Sequence, residues 1–95
     1  MKIKLSVIDK YQELCPVSFM KCDSFSEVEY KIRKCITLGK VIKSKDNEKH
    51  IQYYYNCFVV KNGVATDLYK NDNTYYEVSE RVKGAYDRLE GKLVV

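Results

Sequence analysis

Residues 50–60 read His-Ile-Gln-Tyr-Tyr-Tyr-Asn-Cys-Phe-Val-Val, and Asn62-Gly63 follows one lysine later. Aromatic and β-branched side chains suit a pleated surface. Asn-Gly is the strongest short hairpin signal, because both central residues of a type I′ turn need positive φ. The run therefore predicts one long strand over 50–61, a tight hairpin, and a partner strand over 64–70. Side chains alternate along a strand. On that parity Ile51, Tyr53, Tyr55, Cys57 and Val59 face one way and fill a core. His50, Gln52, Tyr54, Asn56, Phe58 and Val60 face the other way and make an aromatic surface.

The flanking segments set what this strand packs against. Lys2, Ile3, Lys4, Leu5, Ser6 and Val7 alternate, which predicts a half-buried strand over 2–8. Residues 9–23 hold the only proline, Pro16, and read as a loop whose Val17, Phe19 and Met20 tuck onto the core. Residues 24–38 predict a helix. Ser24 with Glu27, or Ser26 with Glu29, forms a capping box, and Phe25, Val28, Ile32, Cys35 and Ile36 recur on one face. Gly39 stands where a left-handed C-terminal cap is wanted. A short strand follows over 40–45, then the polar turn 45–49. Asn71-Asp72-Asn73 marks a turn. A second helix is expected over 74–90, capped by Thr74 and Glu77, with Tyr75, Val78, Val82, Ala85, Tyr86 and Leu89 as its stripe. The rival reading makes 75–78 a strand and starts the helix at Ser79. Leu93, Val94 and Val95 suggest a last edge strand.

This order predicts one α+β domain over residues 1–95. It is β-α-β-β-β-α, with an optional final strand. Two helices pack on one face of a mostly antiparallel sheet, an arrangement related to the ferredoxin-like split β-α-β. Val28, Ile32, Ile36, Val82 and Leu89 are the expected core between helices and sheet, and the other sheet face is expected open. Hydrophobic residues at 45% and charged residues at 32% are ordinary for a folded domain. No apolar run approaches the ~20 residues that span a bilayer, and the charged start does not resemble a signal peptide. The expectation is a cytoplasmic protein with no membrane partner.

Four cysteines, Cys15, Cys22, Cys35 and Cys57, are spaced without a CxxC pair, and His50 is the only histidine. Structural zinc sites show ligands two to four residues apart. Reduced thiols, no metal and no cofactor are therefore expected. His50 and Cys57 fall on opposite faces by parity, which argues against a Cys–His catalytic pair. No catalytic residue is assigned.

Charge is concentrated. Lys31, Arg33, Lys34, Lys40, Lys43, Lys45 and Lys49 stand against only Asp46 and Glu48 within that stretch, while the whole chain carries +4. The plain alternative is a solvated lysine-rich face. The functional reading is attraction to phosphate or to an acidic protein surface. Six of the seven are lysine rather than arginine, the residue suited to bidentate phosphate contacts. The open face and this positive end then define the expected partner-binding surface: Tyr54 and Phe58 as anchors, Lys40, Lys43, Lys45 and Lys49 as its rim.

Two RNA-binding modules and one toxin class are similar in outline. The RNA-recognition signature wants glycine between sheet aromatics, and Gln52 to Phe58 supply none. The double-stranded-RNA domain shares an α-β-β-β-α order, but Asn73-Thr74-Tyr75-Tyr76-Glu77 replaces its lysine cluster. Small basic ribonuclease toxins of the RelE sort resemble the chain in length and mix of elements, yet they place two helices after the first strand, where residues 9–23 read as a loop. Lysine, asparagine and tyrosine abundance with no tryptophan points to an AT-rich bacterial, phage or plasmid gene. The expected function is a small non-enzymatic binding protein whose partner is a protein. By compositional analogy with anti-CRISPR proteins, that partner is a host nucleic-acid-handling enzyme. Binding RNA or single-stranded DNA directly is the second reading, and a small ribonuclease toxin the third.

Overall fold

The computed structural model describes residues 1–91; the expected strand at Leu93–Val95 lies outside them. The elements run β1 (Lys2–Ile3), α1 (Leu5–Leu14), α2 (Pro16–Met20), α3 (Phe25–Leu38), β2 (Lys40–Lys45), β3 (Glu48–Tyr53), β4 (Asn56–Lys61), β5 (Val64–Lys70) and α4 (Glu80–Leu89). The five strands form one sheet in the order β1-β5-β4-β3-β2. β2 to β5 are an antiparallel meander, and β1 pairs parallel to β5. The α+β class is as the sequence predicts. The ferredoxin-like relation is not confirmed: β2 to β5 follow one another as a meander and β1 stands at the edge beside β5.

The first correction is at the N-terminus. Only Lys2–Ile3 is strand, and Leu5–Leu14 and Pro16–Met20 are helices. Val7, Ile8 and Tyr11 are buried, while Leu5 is exposed. A stripe at 7, 8 and 11 has helical spacing, and it outweighs the short alternation at 3, 5 and 7. Pro16 opens α2 at its first position, where its missing N–H removes no bond and its fixed φ suits a helix. The proline marks a helix start, not a loop.

α3 forms where expected. Ser24 Oγ accepts the Glu27 N–H at 3.3 Å, and Glu27 Oε2 reaches back to the Asp23 N–H at 2.8 Å. Val28, Ile32, Cys35 and Ile36 are its buried stripe. Gly39 is not a left-handed cap, since its φ is −71°. It is required for another reason: a Cβ there would sit 2.6 Å from Ile51 Cγ2 and 2.7 Å from the Gln52 carbonyl. The glycine lets α3 hand over to β2 while pressed against β3.

The long strand is two strands. β3 and β4 pair from Glu48↔Lys61 to Tyr53↔Asn56, joined by Tyr54-Tyr55. Tyr54 has φ +57°. Asn62 and Gly63, at +52° and +76°, close the β4–β5 hairpin as predicted. Reversal at Tyr54 flips parity. Ile51 lies opposite Phe58, so Ile51, Phe58 and Val60 share the face under the helices. There they join Val7, Ile8, Tyr11, Val28, Ile32, Cys35, Ile36, Ala65 and Leu68 in one core.

The second long helix is shorter than expected. The rival boundary holds: Ser79 is the N-cap and accepts the Val82 N–H, while Tyr76 makes an isolated bridge with Tyr54. α4 buries none of its residues. Val82 is 45% exposed and Leu89 88%, so neither belongs to the core as expected. Polar contacts dock α4 beside α3. Tyr30 donates to Asp87 Oδ1, Lys34 Nζ lies 2.9 Å from Asp87 Oδ2, and the Tyr30 and Tyr86 rings pack at 5.8 Å. Burial pushes the Asp87 carboxyl up, but the hydrogen bonds from Tyr30 and Lys34 outweigh it and hold it below its ordinary value.

Two outcomes test this packing. Ile32, fully buried, should cost ~2–5 kcal/mol when replaced by alanine, whereas Leu89→Ala should stay within about 0.5 kcal/mol; urea unfolding of both variants measures the contrast. Asp87 has a depressed folded-state pKa, so its contribution is present above its unfolded value of about 4 and is lost as pH falls through the lower folded value. Asp87→Asn should lower thermal stability at neutral pH, and the gap from wild type should narrow on acidification.

Candidate binding surface

The β3–β4 register decides which side chains share the face opposite α1 and α3. His50 and Gln52 lie across from Val59 and Cys57. Lys40, Lys43 and Lys45 lie across from Gln52, His50 and Glu48. Lys61 faces Glu48, and Lys2 faces Val64 at the far edge. Five lysines thus share this face with two carboxylates, Glu48 and Asp67, and all five lysines are exposed.

Of the expected surface, Lys40, Lys43 and Lys45 are brought together, along the edge strand β2. Lys49 pairs across from Val60, so by register it belongs to the helix-bearing face. Phe58 is 1% exposed and part of the core; it cannot be an anchor. Tyr54 sits in the turn, half-buried, and its groups are engaged. Its N–H donates to the Tyr76 carbonyl at 2.6 Å and its carbonyl accepts the Tyr76 N–H at 3.2 Å. Its hydroxyl donates to the Val78 carbonyl at 3.1 Å, and Lys83 Nζ lies 4.9 Å from its ring centroid. Burial-range contacts of this kind belong to a structural tyrosine. The hydrogen bond to Tyr54 is the main cause that raises the Lys83 pKa.

Gln52 explains why residues 71–76 lie against this end of the sheet. It is fully buried. Its Nε2 donates to the carbonyls of Tyr54 at 2.6 Å and Thr74 at 3.1 Å, and its Oε1 accepts from Asn71 Nδ2 at 3.2 Å. A buried amide left unpaired costs ~1–3 kcal/mol, so this satisfied set fixes the crossing segment firmly. The segment then presents Tyr75, whose ring packs against Tyr55 at a centroid distance of 4.6 Å, inclined by 54°. Tyr55 is 48% exposed and Tyr75 47%. These two tyrosines are the exposed aromatic pair, and strand parity hid them by assigning Tyr55 to the core. The available signal was the Asn71-Asp72-Asn73 turn, which brings Tyr75 back toward the tyrosine run.

His50 and Cys57 share a face after all, because the turn at Tyr54 reverses the parity that separated them. The arrangement between them is closed. His50 Nδ1 lies 2.9 Å from the Tyr69 hydroxyl, and Nε2 lies 3.2 Å from Glu48 Oε2. With Nε2–H donated to the carboxylate, Nδ1 accepts from Tyr69. Burial raises the Cys57 thiol pKa and pushes the Tyr69 phenol up to about 12. A protonated, buried thiol is a poor nucleophile, and both imidazole nitrogens are occupied. All four cysteines carry free thiols; Cys35 and Cys57 are buried, and burial pushes Cys35 up to about 12.

No protein-family model, curated protein or solved structure matches the chain. No helix among the described residues is long and apolar enough to cross a membrane.

The role of Tyr54 yields a direct test. Tyr54→Ala removes the bond to Val78, the Lys83 contact and two ring contacts at once. It should destabilise the domain by ~1–3 kcal/mol and speed hydrogen exchange in residues 74–79 first. Unchanged exchange there would show that the tyrosine does not hold the segment.

Proposed function

We propose that this is a small non-enzymatic binding protein that docks on an acidic protein surface through the Tyr55–Tyr75 pair, with Lys40, Lys43 and Lys45 as the charged rim. The single observation that carries the reading is the half-exposed, mutually packed tyrosine pair at the end of a sheet whose adjoining face is rich in lysine. Tyrosine provides large amphipathic contact area and is enriched at interface centres. Rim lysines steer encounter and set its salt dependence. The closed Glu48–His50–Tyr69 arrangement and the buried Cys57 thiol support a non-catalytic role. An enzyme that handles nucleic acid through metal-binding carboxylates presents an acidic centre of the matching sign, and occluding such a centre is the specific inhibitory role proposed. The expected cytoplasmic location agrees with that partner.

Direct nucleic-acid binding remains the second reading, because the same lysines could neutralise phosphates. The toxin reading gains one observation: two helices, Leu5–Leu14 and Pro16–Met20, follow β1 where a loop would set this chain apart from such toxins. The occupied His50 nitrogens weigh against it.

Tyr55→Ala should abolish capture of the partner seen with wild type while leaving the melting midpoint close to unchanged. Lys43→Glu should slow association at low salt and leave dissociation nearly unaltered. Mixed RNA and DNA should bind weakly at both low and high salt. Strong nucleic-acid binding that falls steeply with salt would replace the protein-partner reading with the second one.

A further inference from the structure

On the other side of the sheet, α1 and α2, α3 and α4 surround a cleft above Tyr53. It has two connected lobes of ≈ 470 Å³ and ≈ 350 Å³ that share Tyr11, Ser18, Cys35, Tyr53 and Lys83. Pockets of this size commonly hold small molecules when a few polar groups converge in them.

The charges around the larger lobe are unevenly committed. Its three carboxylates are all engaged. Asp87 takes Tyr30 and Lys34, Glu80 lies 3.1 Å from Lys83, and Glu27 accepts the Asp23 N–H. Lys21 and Lys31 make no ion pair among the described residues, and both line the lobe. Among the described residues, two unpaired cations, Lys21 and Lys31, therefore stand against one carboxylate, Glu27, whose partner is a neutral N–H, and the lobe keeps an excess of positive charge. Deeper in, Tyr11 and Tyr53 line both lobes, and the Tyr53 hydroxyl makes no hydrogen bond among the described residues. Asn56 Nδ2 lies 3.2 Å from Cys15 Sγ, which fixes the inner wall of the smaller lobe.

We infer that this cleft binds a small anion carrying a planar ring, of the mononucleotide type, with its phosphate at Lys21 and Lys31 and its ring against the partly open Tyr53. Lysine supplies a mobile point charge suited to a phosphate, and aromatic rings stack on any base. The site is separate from the tyrosine pair and lysine row proposed to meet a protein. It gives a small ligand access to the packing of α4, whose Glu80 and Lys83 form one wall. Burial raises the Tyr11 and Tyr53 phenols, so both stay neutral hydrogen-bonding groups beside a bound anion.

The experiment is a titration of the full chain with adenosine 5′-monophosphate, followed by aromatic and amide chemical shifts. Adenosine and inorganic phosphate are titrated separately as controls. The expected result is saturable shifts of Tyr11, Tyr53 and Lys31, with the monophosphate binding at least ~10-fold tighter than either half, the size of one charge-assisted contact. Lys31→Glu should weaken the monophosphate ~10-fold or more, and Tyr53→Phe should weaken it less while keeping the fold. Lys43→Glu, on the opposite face, should leave it unchanged. No saturable shift in the cleft, equal binding of adenosine and the monophosphate, or undiminished binding to Lys31→Glu would each overturn the inference. Because the protein-partner surface is probed by Tyr55 and Lys43, either proposal can fail while the other stands.

Discussion

The two-residue turn at Tyr54-Tyr55 is the constraint on which the arrangement depends. A continuous strand through 50–61 would have put Phe58 on the open face and Tyr55 inward. Reversal after Tyr53 pairs Ile51 with Phe58 and delivers both to the helices. The left-handed φ of Tyr54 is unusual for a residue with a side chain and costs about 1–2 kcal/mol. The backbone pair with Tyr76, the bond to Val78 and the packing of Tyr53 and Tyr75 around its ring offset that cost. The strain sits where the chain needs a sharp reversal and where neighbouring groups hold it in place.

Gln52 links this turn to the rest of the chain. It stands one residue before Tyr53, points to the face away from the helices, and ties the turn to Asn71 and Thr74. From there the chain passes Tyr76 and reaches Ser79, the cap of α4. One buried amide thus connects the sheet's tight turn to the helix that walls the cleft. α4 adds no buried side chain of its own, so its position depends on this segment and on Asp87. A weakly buried helix held by polar contacts belongs to the low-stability end of a structure, which suits the wall of the proposed ligand cleft.

What the sequence made legible follows physical lines. α3 was readable because a capping residue, favourable spacing and a terminating glycine agree over fourteen residues. The β4–β5 hairpin was readable because Asn62 and Gly63 tolerate positive φ. The Tyr54 turn was not, because nothing in Tyr-Tyr announces a reversal; tertiary contacts stabilise it and local preference does not. α1 was masked by a three-residue alternation that competes with a helical stripe, and Pro16 looked like a breaker although it starts a helix. Of the expected surface, Lys43 and Lys45 could be placed together because they stand two residues apart on one strand, while Lys40 joins their face through an irregularity that alternation does not announce. Tyr54 and Phe58 could not, because their facing depends on the hidden turn, whereas Lys49 lies two residues before Ile51 and alternation alone puts it on the helix-bearing face. β2 also carries a bulge between Val41 and Lys43, and lysines with a bulge on an edge strand discourage indiscriminate pairing. That leaves the edge a charged rim rather than a site for adding a strand.

The most direct test of this account is which aromatic rings water reaches. A soluble paramagnetic probe broadens the NMR signals of exposed side chains and leaves buried ones sharp. The account predicts strong broadening at Tyr55 and Tyr75, intermediate broadening at Tyr54, and none at Phe58. Broadening of Phe58 with Tyr55 protected would mean that the strand runs straight through 54–55, and the core, the open face and the proposed interface would all exchange sides.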